Sequence, residues 1–138
     1  QKWEITHNGD IAFREGTTAY VRVGTYGLQA TDIVASGDIT ASGDITAYSD
    51  ESLKTNIQVI DNAVGKVEQL HGITFDRIEN GSSSTGVIAQ ELKAVLPEAV
   101  HTNEQGLHSV AYGNVVGLLI EAIKEQQKQI DELRSNKS

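Results

Sequence analysis

The sequence of 138 residues contains no cysteine, no methionine and one proline, and only 5% of its residues are aromatic. Without cysteine the chain can form neither a disulfide nor a thiolate metal site. No apolar run approaches the roughly 20 residues that a membrane-spanning helix needs. Because the first residues lack the pattern of a signal peptide and no initiating methionine occurs, we expect a piece of a longer protein.

Positive charge is also scarce, with 11 Lys and Arg against 19 Asp and Glu, for a formal net charge of -8. Nucleic acids and anionic membrane surfaces bind clustered Lys and Arg, so we expect neither as a partner. The four histidines, His7, His71, His101 and His108, are dispersed along the chain. We therefore expect no metal site and no cofactor.

Residues 1–48 contain six of the 13 glycines, a higher density than in the rest of the chain, and short β-strand patterns occur there. Residues 4–6 and 11–13 flank Asn8-Gly9, a strong hairpin-turn signal because both residues accept a positive φ. Residues 18–23 are rich in β-branched and aromatic residues, which favour strands. The sequence thus predicts a β-rich segment.

A six-residue repeat ends this segment, since residues 35–40 and 41–46 both read ASGDIT. Ile33, Ile39 and Ile45 therefore recur every six residues, and in an extended chain they lie on one face. One isoleucine per repeat cannot form a core within one chain, but three chains wound together can. The repeat predicts the end of an intertwined, trimeric β-fibre, such as a triple β-helix. A flexible Gly/Ser/Asp linker is the alternative.

Residues 49–138 carry helical patterns instead. The apolar spacing from Ile57 to His71 predicts a helix over 57–71, ended by Gly72. A strand over 73–76, a turn or loop over 80–86 and a helix over 90–96 follow, and Pro97 ends that helix.

A final helix, from about 110 to 134, has a heptad pattern. Its polar Gln126 would specify register, and Glu121, Lys124, Glu125, Lys128, Asp131 and Glu132 would form the outer face. Such a helix either packs on its own domain or associates with other chains, and we favour a coiled coil between chains. The a and d positions, spaced alternately by four and three residues, are Tyr112, Val116, Leu119, Ile123, Gln126, Ile130 and Leu133.

The junction of the two halves, Tyr48-Ser49-Asp50-Glu51-Ser52-Leu53-Lys54, places a serine five positions before a lysine. A desolvated lysine can act as the base that activates a serine nucleophile. Positions i and i+5 lie about 140° apart on a helix, so Ser49 would have to lie in extended chain or a turn. Alternatively, Ser49 or Asp50 is an N-cap and Lys54 is a solvated side chain.

Four stretches carry a resemblance to a known family: residues 49–54, 86–92, 109–112 and 118–125. With them, the chain from Ser49 onward resembles the peptidase S74 family, the C-terminal intramolecular chaperones of phage endosialidases and other tail fibres. The resemblance implies an α+β fold with a homotrimeric assembly. Residues 1–48 would be the end of the fibre stem, and residues 49–138 a mixed α/β chaperone domain with the C-terminal coiled coil.

The resemblance also implies a function. The domain would register three fibre strands and then cut the Tyr48–Ser49 bond, with Ser49 as nucleophile and Lys54 as general base. Its partners would be two further copies of the chain and the N-terminal remainder of the fibre. The expected location is the virion tail, a fibre or spike, with the chaperone domain released in the host cytoplasm.

Two other functions compete with self-cleavage. A trimerisation module without proteolysis would need the same coiled coil. A receptor-binding fibre tip could stack sugar on Trp3, Phe13, Tyr20 and Tyr26, but the aromatic content is low and shows no cluster. For the oxyanion, Gln90 and His101 are polar candidates to which we assign structural roles. Glu91 either binds across the trimer or lies on a solvated helix face.

Overall fold

The computed structural model describes residues 2–5, 11–15, 18–24, 27–30 and 32–136. The chain divides into two compact units, Gln1–Ser49 and Asp50–Ser138. The first unit contains a four-stranded antiparallel sheet in which each strand pairs with the next along the chain. Its strands are β1 (Lys2–Ile5), β2 (Ile11–Glu15), β3 (Thr18–Gly24) and β4 (Gly27–Ala30).

The first three strands occur where the sequence predicts them. Ile5 lies opposite Ile11, and the register between β2 and β3 shifts after Phe13. The hairpin turn predicted at Asn8-Gly9 lies outside the described residues. Strand β4 was not predicted, since its four residues include a glycine at positive φ and no β-branched residue.

The six-residue repeats form neither helix nor strand. Ile33, Ile39 and Ile45 are 61%, 66% and 80% exposed in the single chain. A single copy therefore offers these side chains no core, and the intertwined fibre stays a prediction.

The second unit combines helices with two small antiparallel sheets. β5 pairs with β6, and β7 pairs with β8. The order along the chain is a one-turn 3-10 helix (Glu51–Leu53), α1 (Ala63–Val67), β5 (Gly72–Asp76), β6 (Ser83–Val87), α2 (Ala89–Val95), a second 3-10 helix (Pro97–Ala99), β7 (Val100–Thr102), β8 (His108–Val110) and α3 (Tyr112–Ser135). This is the mixed α+β fold that the sequence indicates, with the C-terminal helix in the predicted place.

The helix predicted over residues 57–71 is wrong at both ends, since α1 spans only Ala63–Val67. Asn56 and Asn62 have φ values of 53° and 46°, in the left-handed region, which a right-handed helix cannot include. The helix α1 begins only after Asn62. Ile60 still packs on the core, whereas Ile57 is exposed, so part of the apolar spacing reflects an irregular segment lying on the unit.

The loop predicted over 80–86 is also shorter than expected. Residues 83–86 belong to β6, and Asp76 pairs with Ser83 beside a turn with Gly81 at positive φ. The sequence of β6 does not alternate between apolar and polar residues, so it carries no strand signal of its own. It forms a strand because it pairs with β5. The short β7–β8 hairpin escaped prediction for the same reason.

The core of the second unit lies between α1 and α3. Ala63, Leu118 and Ala122 are buried there. Leu92 and Ala99 are buried as well, and of the described residues only Leu92 and Leu118 are large and fully buried. Partly buried side chains complete the cluster around α1 and α3, namely Ile60, Val64, Val67, Leu70 and Leu96.

Candidate functional site

The candidate site is the chain segment of residues 48–54. Tyr48 is 97% exposed, and Ser49, also exposed, is the last residue of the first unit. Lys54 belongs to the second unit, where it follows the 3-10 helix and its N–H donates to the carbonyl of Glu51 at 3.0 Å. One helical turn therefore separates the predicted nucleophile from the predicted base along the chain.

Asp50 caps this helix. Its Oδ1 accepts a hydrogen bond from the Ser52 backbone N–H at 2.8 Å and another from the Ser52 hydroxyl. Both bonds stabilise the charged carboxylate and hold the pKa of Asp50 below its ordinary value. The bond from the Ser52 hydroxyl has the larger effect and the bond from the N–H the smaller. The N-cap is thus Asp50, and Ser49 lies before the helix. Capping by Ser49 no longer competes with a chemical role for it.

The chemistry open to this junction is nucleophilic attack by a hydroxyl assisted by an amine. A lysine becomes a base when burial disfavours its charged form. In the single chain the side chains of Ser49 and Lys54 are both exposed. Their roles as nucleophile and base stay predictions.

The second motif, residues 86–92, has a close contact at its first residue. A Cβ built on Gly86 would overlap the hydroxyl of Tyr112, which also accepts a hydrogen bond from the Val87 N–H at 3.4 Å. Only glycine leaves room for this approach. Tyr112, predicted as the first seam residue of the coiled coil, therefore contacts its own chain through its hydroxyl, while 56% of the residue remains exposed.

Glu91 makes an intrachain contact that sequence reasoning missed. Its carboxylate accepts from the backbone N–H of His71 at 3.1 Å and lies 3.1 Å from His71 Nδ1. Glu91 is therefore not simply solvated in the single chain, while its contact across a trimer stays a prediction. Gln90, in α2, and His101, in β7, are both exposed.

Helix α3 presents two different faces. Leu118 and Ala122 pack inward on α1, and Ile60 lies 3.6 Å from the position a Cβ would take on Gly117. The seven predicted seam residues are all exposed, and the six other than Gln126 are between 44% and 65% exposed. The inward face of α3 is thus not the heptad face. In the single chain the heptad face has no apolar cover.

Glu125 was predicted to lie on the outer, solvated face of α3, and this prediction is wrong. Its two carboxylate oxygens accept from the backbone N–H groups of Ala63 and Val64, each at 2.8 Å. The bond from Val64 and, to a smaller extent, the bond from Ala63 hold the pKa of Glu125 below its ordinary value. Glu125 caps α1, where the N-cap residue Asn62 makes no side-chain bond. No local signal links residues this far apart in sequence.

The described part of the chain has no helix long and apolar enough to cross a membrane. Within the same residues, no group of three or more His, Cys, Asp or Glu side chains is placed to hold a metal ion.

Comparison with known families supports the resemblance drawn from the motifs. Residues 49–101 match the peptidase S74 family model, described as a chaperone of endosialidase. This part of the chain is thus similar to the chaperone-of-endosialidase family. The match begins at Ser49 and includes Lys54, Gly86 and Glu91, whereas α3 lies beyond it.

Long tail fibre proteins of several phages are similar to the chain. Gp37 of Enterobacteria phage K3 is 38% identical over an alignment of 96 positions, and the alignment covers 63% of this chain and 8% of that protein. Gp37 of Enterobacteria phage M1 is 34% identical over an alignment of 97 positions, which again covers 63% of this chain but 39% of that protein. The chain thus spans a small part of these fibre proteins and includes the chaperone-of-endosialidase segment.

Proposed function

We propose that the chain is an intramolecular chaperone that assembles three copies of a phage tail fibre in register and then cuts the Tyr48–Ser49 bond. The match of residues 49–101 to the chaperone-of-endosialidase family model and the similarity to long tail fibre proteins support a chaperone role in fibre assembly. On this proposal the mature fibre lies in the virion tail, and the cleaved domain remains in the host cytoplasm.

The observation that carries the assembly step is the exposed heptad face of α3. Six large side chains at alternating four- and three-residue spacing lie uncovered on a helix whose inward face is already packed. Because each is already about half buried, completing its burial would contribute roughly half of the 1.5–3 kcal/mol that full burial of such a side chain contributes. A coiled coil with two further copies covers all six and accommodates Gln126 at a single layer, where it specifies register.

Register is the difficulty that such a domain solves. The two identical six-residue repeats restore the same pattern after a slip of six residues, so strands alone cannot select one alignment. A globular assembly at the end of the fibre aligns three chains once and raises their effective concentration. After cleavage, a high barrier to unfolding can maintain the fibre.

The cleavage step is an N-to-O acyl shift followed by hydrolysis. The Ser49 hydroxyl attacks the carbonyl carbon of Tyr48 while Lys54 Nζ takes its proton. The C–N bond breaks, the Ser49 nitrogen receives the proton, and an ester joins Tyr48 to Ser49 Oγ. Water then hydrolyses the ester, adding its hydroxyl to the Tyr48 carbonyl carbon and returning a proton to Oγ. No cofactor takes part.

Assembly would also control this reaction. Lys54 is exposed in the single chain, so the burial that turns a lysine into a base has to come from neighbouring copies in the trimer. Cleavage would then follow correct assembly. A monomeric variant that still cuts itself would refute this coupling.

The test is the intact mass of the purified chain beside Ser49→Ala and Lys54→Ala, with oligomeric state measured by light scattering. We expect the unmutated trimer to give fragments 1–48 and 49–138, and both variants to form trimers that stay whole. An unmutated chain that cuts itself at the same rate as Lys54→Ala would remove lysine from the mechanism.

A non-cleaving trimerisation module is the second candidate function. The exposure of Lys54 in the single chain favours it, because a lysine that serves as a general base is typically buried. A trimer that remains full length after long incubation would select this function and leave the turn at Asp50 with a purely structural role.

A further inference from the structure

We propose that Asp50 is a positioning residue for self-cleavage. By capping the one-turn helix between Ser49 and Lys54, it fixes the backbone conformation that links Lys54 to the scissile bond. This inference rests on the proposed Ser49–Lys54 mechanism. It adds a residue that touches neither the reacting carbonyl nor the proton in transfer.

Four hydrogen bonds hold this turn. Asp50 Oδ1 accepts from the N–H and the hydroxyl of Ser52, and the Asp50 carbonyl accepts from the Leu53 N–H at 3.2 Å. The Glu51 carbonyl accepts from the Lys54 N–H at 3.0 Å. Because Asp50 is bonded directly to Ser49, the turn ties the backbone of Lys54 to the residue that supplies the nucleophile.

The cap matters for this short segment because its helical residues are not held by burial. The 3-10 helix has three residues, none of them buried, so packing does not hold it in the single chain. A single helical turn is unstable by itself, because several dihedral angles are fixed for one hydrogen bond. The side chain of Asp50 therefore contributes two hydrogen bonds to the turn. Losing them would widen the range of backbone conformations between Ser49 and Lys54.

The carboxylate also remains available as an acceptor under the conditions of the reaction. The hydrogen bonds from Ser52 lower the pKa of Asp50, so Asp50 is ionised at every pH at which a lysine could give up its proton. Capping needs an acceptor oxygen at the end of a short side chain, which Asp, Asn and Ser all provide. Charge by itself is not what this role requires.

Two substitutions separate capping from charge. Asp50→Asn removes the charge and keeps a good cap, whereas Asp50→Glu keeps the charge and moves the oxygen one methylene away. Glu51→Gln is the matched control, since it removes a neighbouring carboxylate that makes no cap. In the full chain, the cleavage rate is followed by intact mass, and light scattering confirms that each variant forms the unmutated oligomer.

We expect Asp50→Glu and Asp50→Ala to slow cleavage about five- to tenfold or more, while Asp50→Asn and Glu51→Gln stay within about twofold of the unmutated rate. Ser52→Ala, which removes one of the two donors, should fall between these groups. Equal rates for Asp50→Glu and the unmutated chain would overturn the role of Asp50 alone. An unmutated trimer that never cleaves would overturn the mechanism and this role together.

Discussion

The repeat segment, residues 32–46, and helix α3 both present apolar residues at regular spacing to solvent, yet they differ in what a single chain can do with them. The helix satisfies its backbone hydrogen bonds internally and packs one face on α1. The repeats form neither helix nor strand, and their isoleucines are at least 61% exposed. A helix can thus form first and offer a finished surface, whereas the repeats need partner chains even for their backbone pairing.

This difference suggests an order of assembly in which the helix leads. If α3 is the interface of the proposed trimer, its apolar face is already formed in the single chain, and three copies could meet there without prior order in the stem. The repeats then gain pairing partners that are already aligned. The following substitutions test the two faces of α3 and the order of assembly, beginning with the largest expected effect.

Ile123→Asp should abolish the oligomer. Ile123 is the most exposed member of the seam, and in a coiled coil its substitution would bury three carboxylates close to the axis. Light scattering should report a monomer, and intact mass should report no cleavage. Lys124→Asp is the control, since Lys124 lies on the outer face and pairs with Glu121 at 2.8 Å. A stable Ile123→Asp trimer would show that α3 is not the interface.

Leu118→Ala should lower the stability of the second unit by about 2–5 kcal/mol, because Leu118 is fully buried and its loss leaves a cavity against α1. Denaturant unfolding measures the effect at fixed protein concentration. Leu119→Ala provides the comparison, since Leu119 is nearly half exposed in the single chain. In an oligomer-free background such as Ile123→Asp, Leu119→Ala should cost much less than Leu118→Ala. Equal costs would contradict the two-faced description of α3.

Glu125→Gln should weaken the attachment of α1 to α3 and change the response to acid. The pKa of Glu125 is lowered in the folded chain, so its stabilising contribution is complete above the unfolded-state pKa. That contribution is lost as the pH falls through the folded pKa. Thermal unfolding of the unmutated chain should therefore show a steeper loss of Tm below about pH 4.5 than Glu125→Gln does. Parallel curves would remove Glu125 as a charged cap.

Ile39→Asp should have the smallest effect on assembly. Ile39 lies in the repeat segment, so the second unit should still form its oligomer and the Tyr48–Ser49 bond should still be cut. The change should appear only in the stem, as faster proteolysis of fragment 1–48. If Ile39→Asp prevents oligomerisation as Ile123→Asp does, the stem rather than the helix leads assembly.

Several elements could be predicted because their signals are local. Helix α2 ends before Pro97, which cannot continue a helix, and α3 has a sustained heptad. The strand predicted over 73–76 is present as β5, which begins one residue earlier at Gly72. The start of α1 could not be predicted, because its cap comes from Glu125, which lies 62 residues after Ala63 in the sequence. The same holds for β6, which is a strand because β5 lies beside it.

The candidate site shows the same division. The Ser49–Lys54 spacing and the family motif are visible in the sequence, because they lie within six consecutive residues. Which residue caps the turn depends on hydrogen-bond geometry, and the structure assigns this to Asp50 rather than Ser49.

The sequence by itself determined the helix α3 and its heptad, the glycine-rich repeats and the family motif, since each is written in residue types at short spacing. Only the tertiary structure decided that α3 packs inward through Leu118 and Ala122 and leaves the heptad face uncovered. It likewise showed that Gly86 makes room for the hydroxyl of Tyr112. A periodic pattern identifies the faces of a helix, but which face meets its own chain depends on distant residues that fill the space beside it.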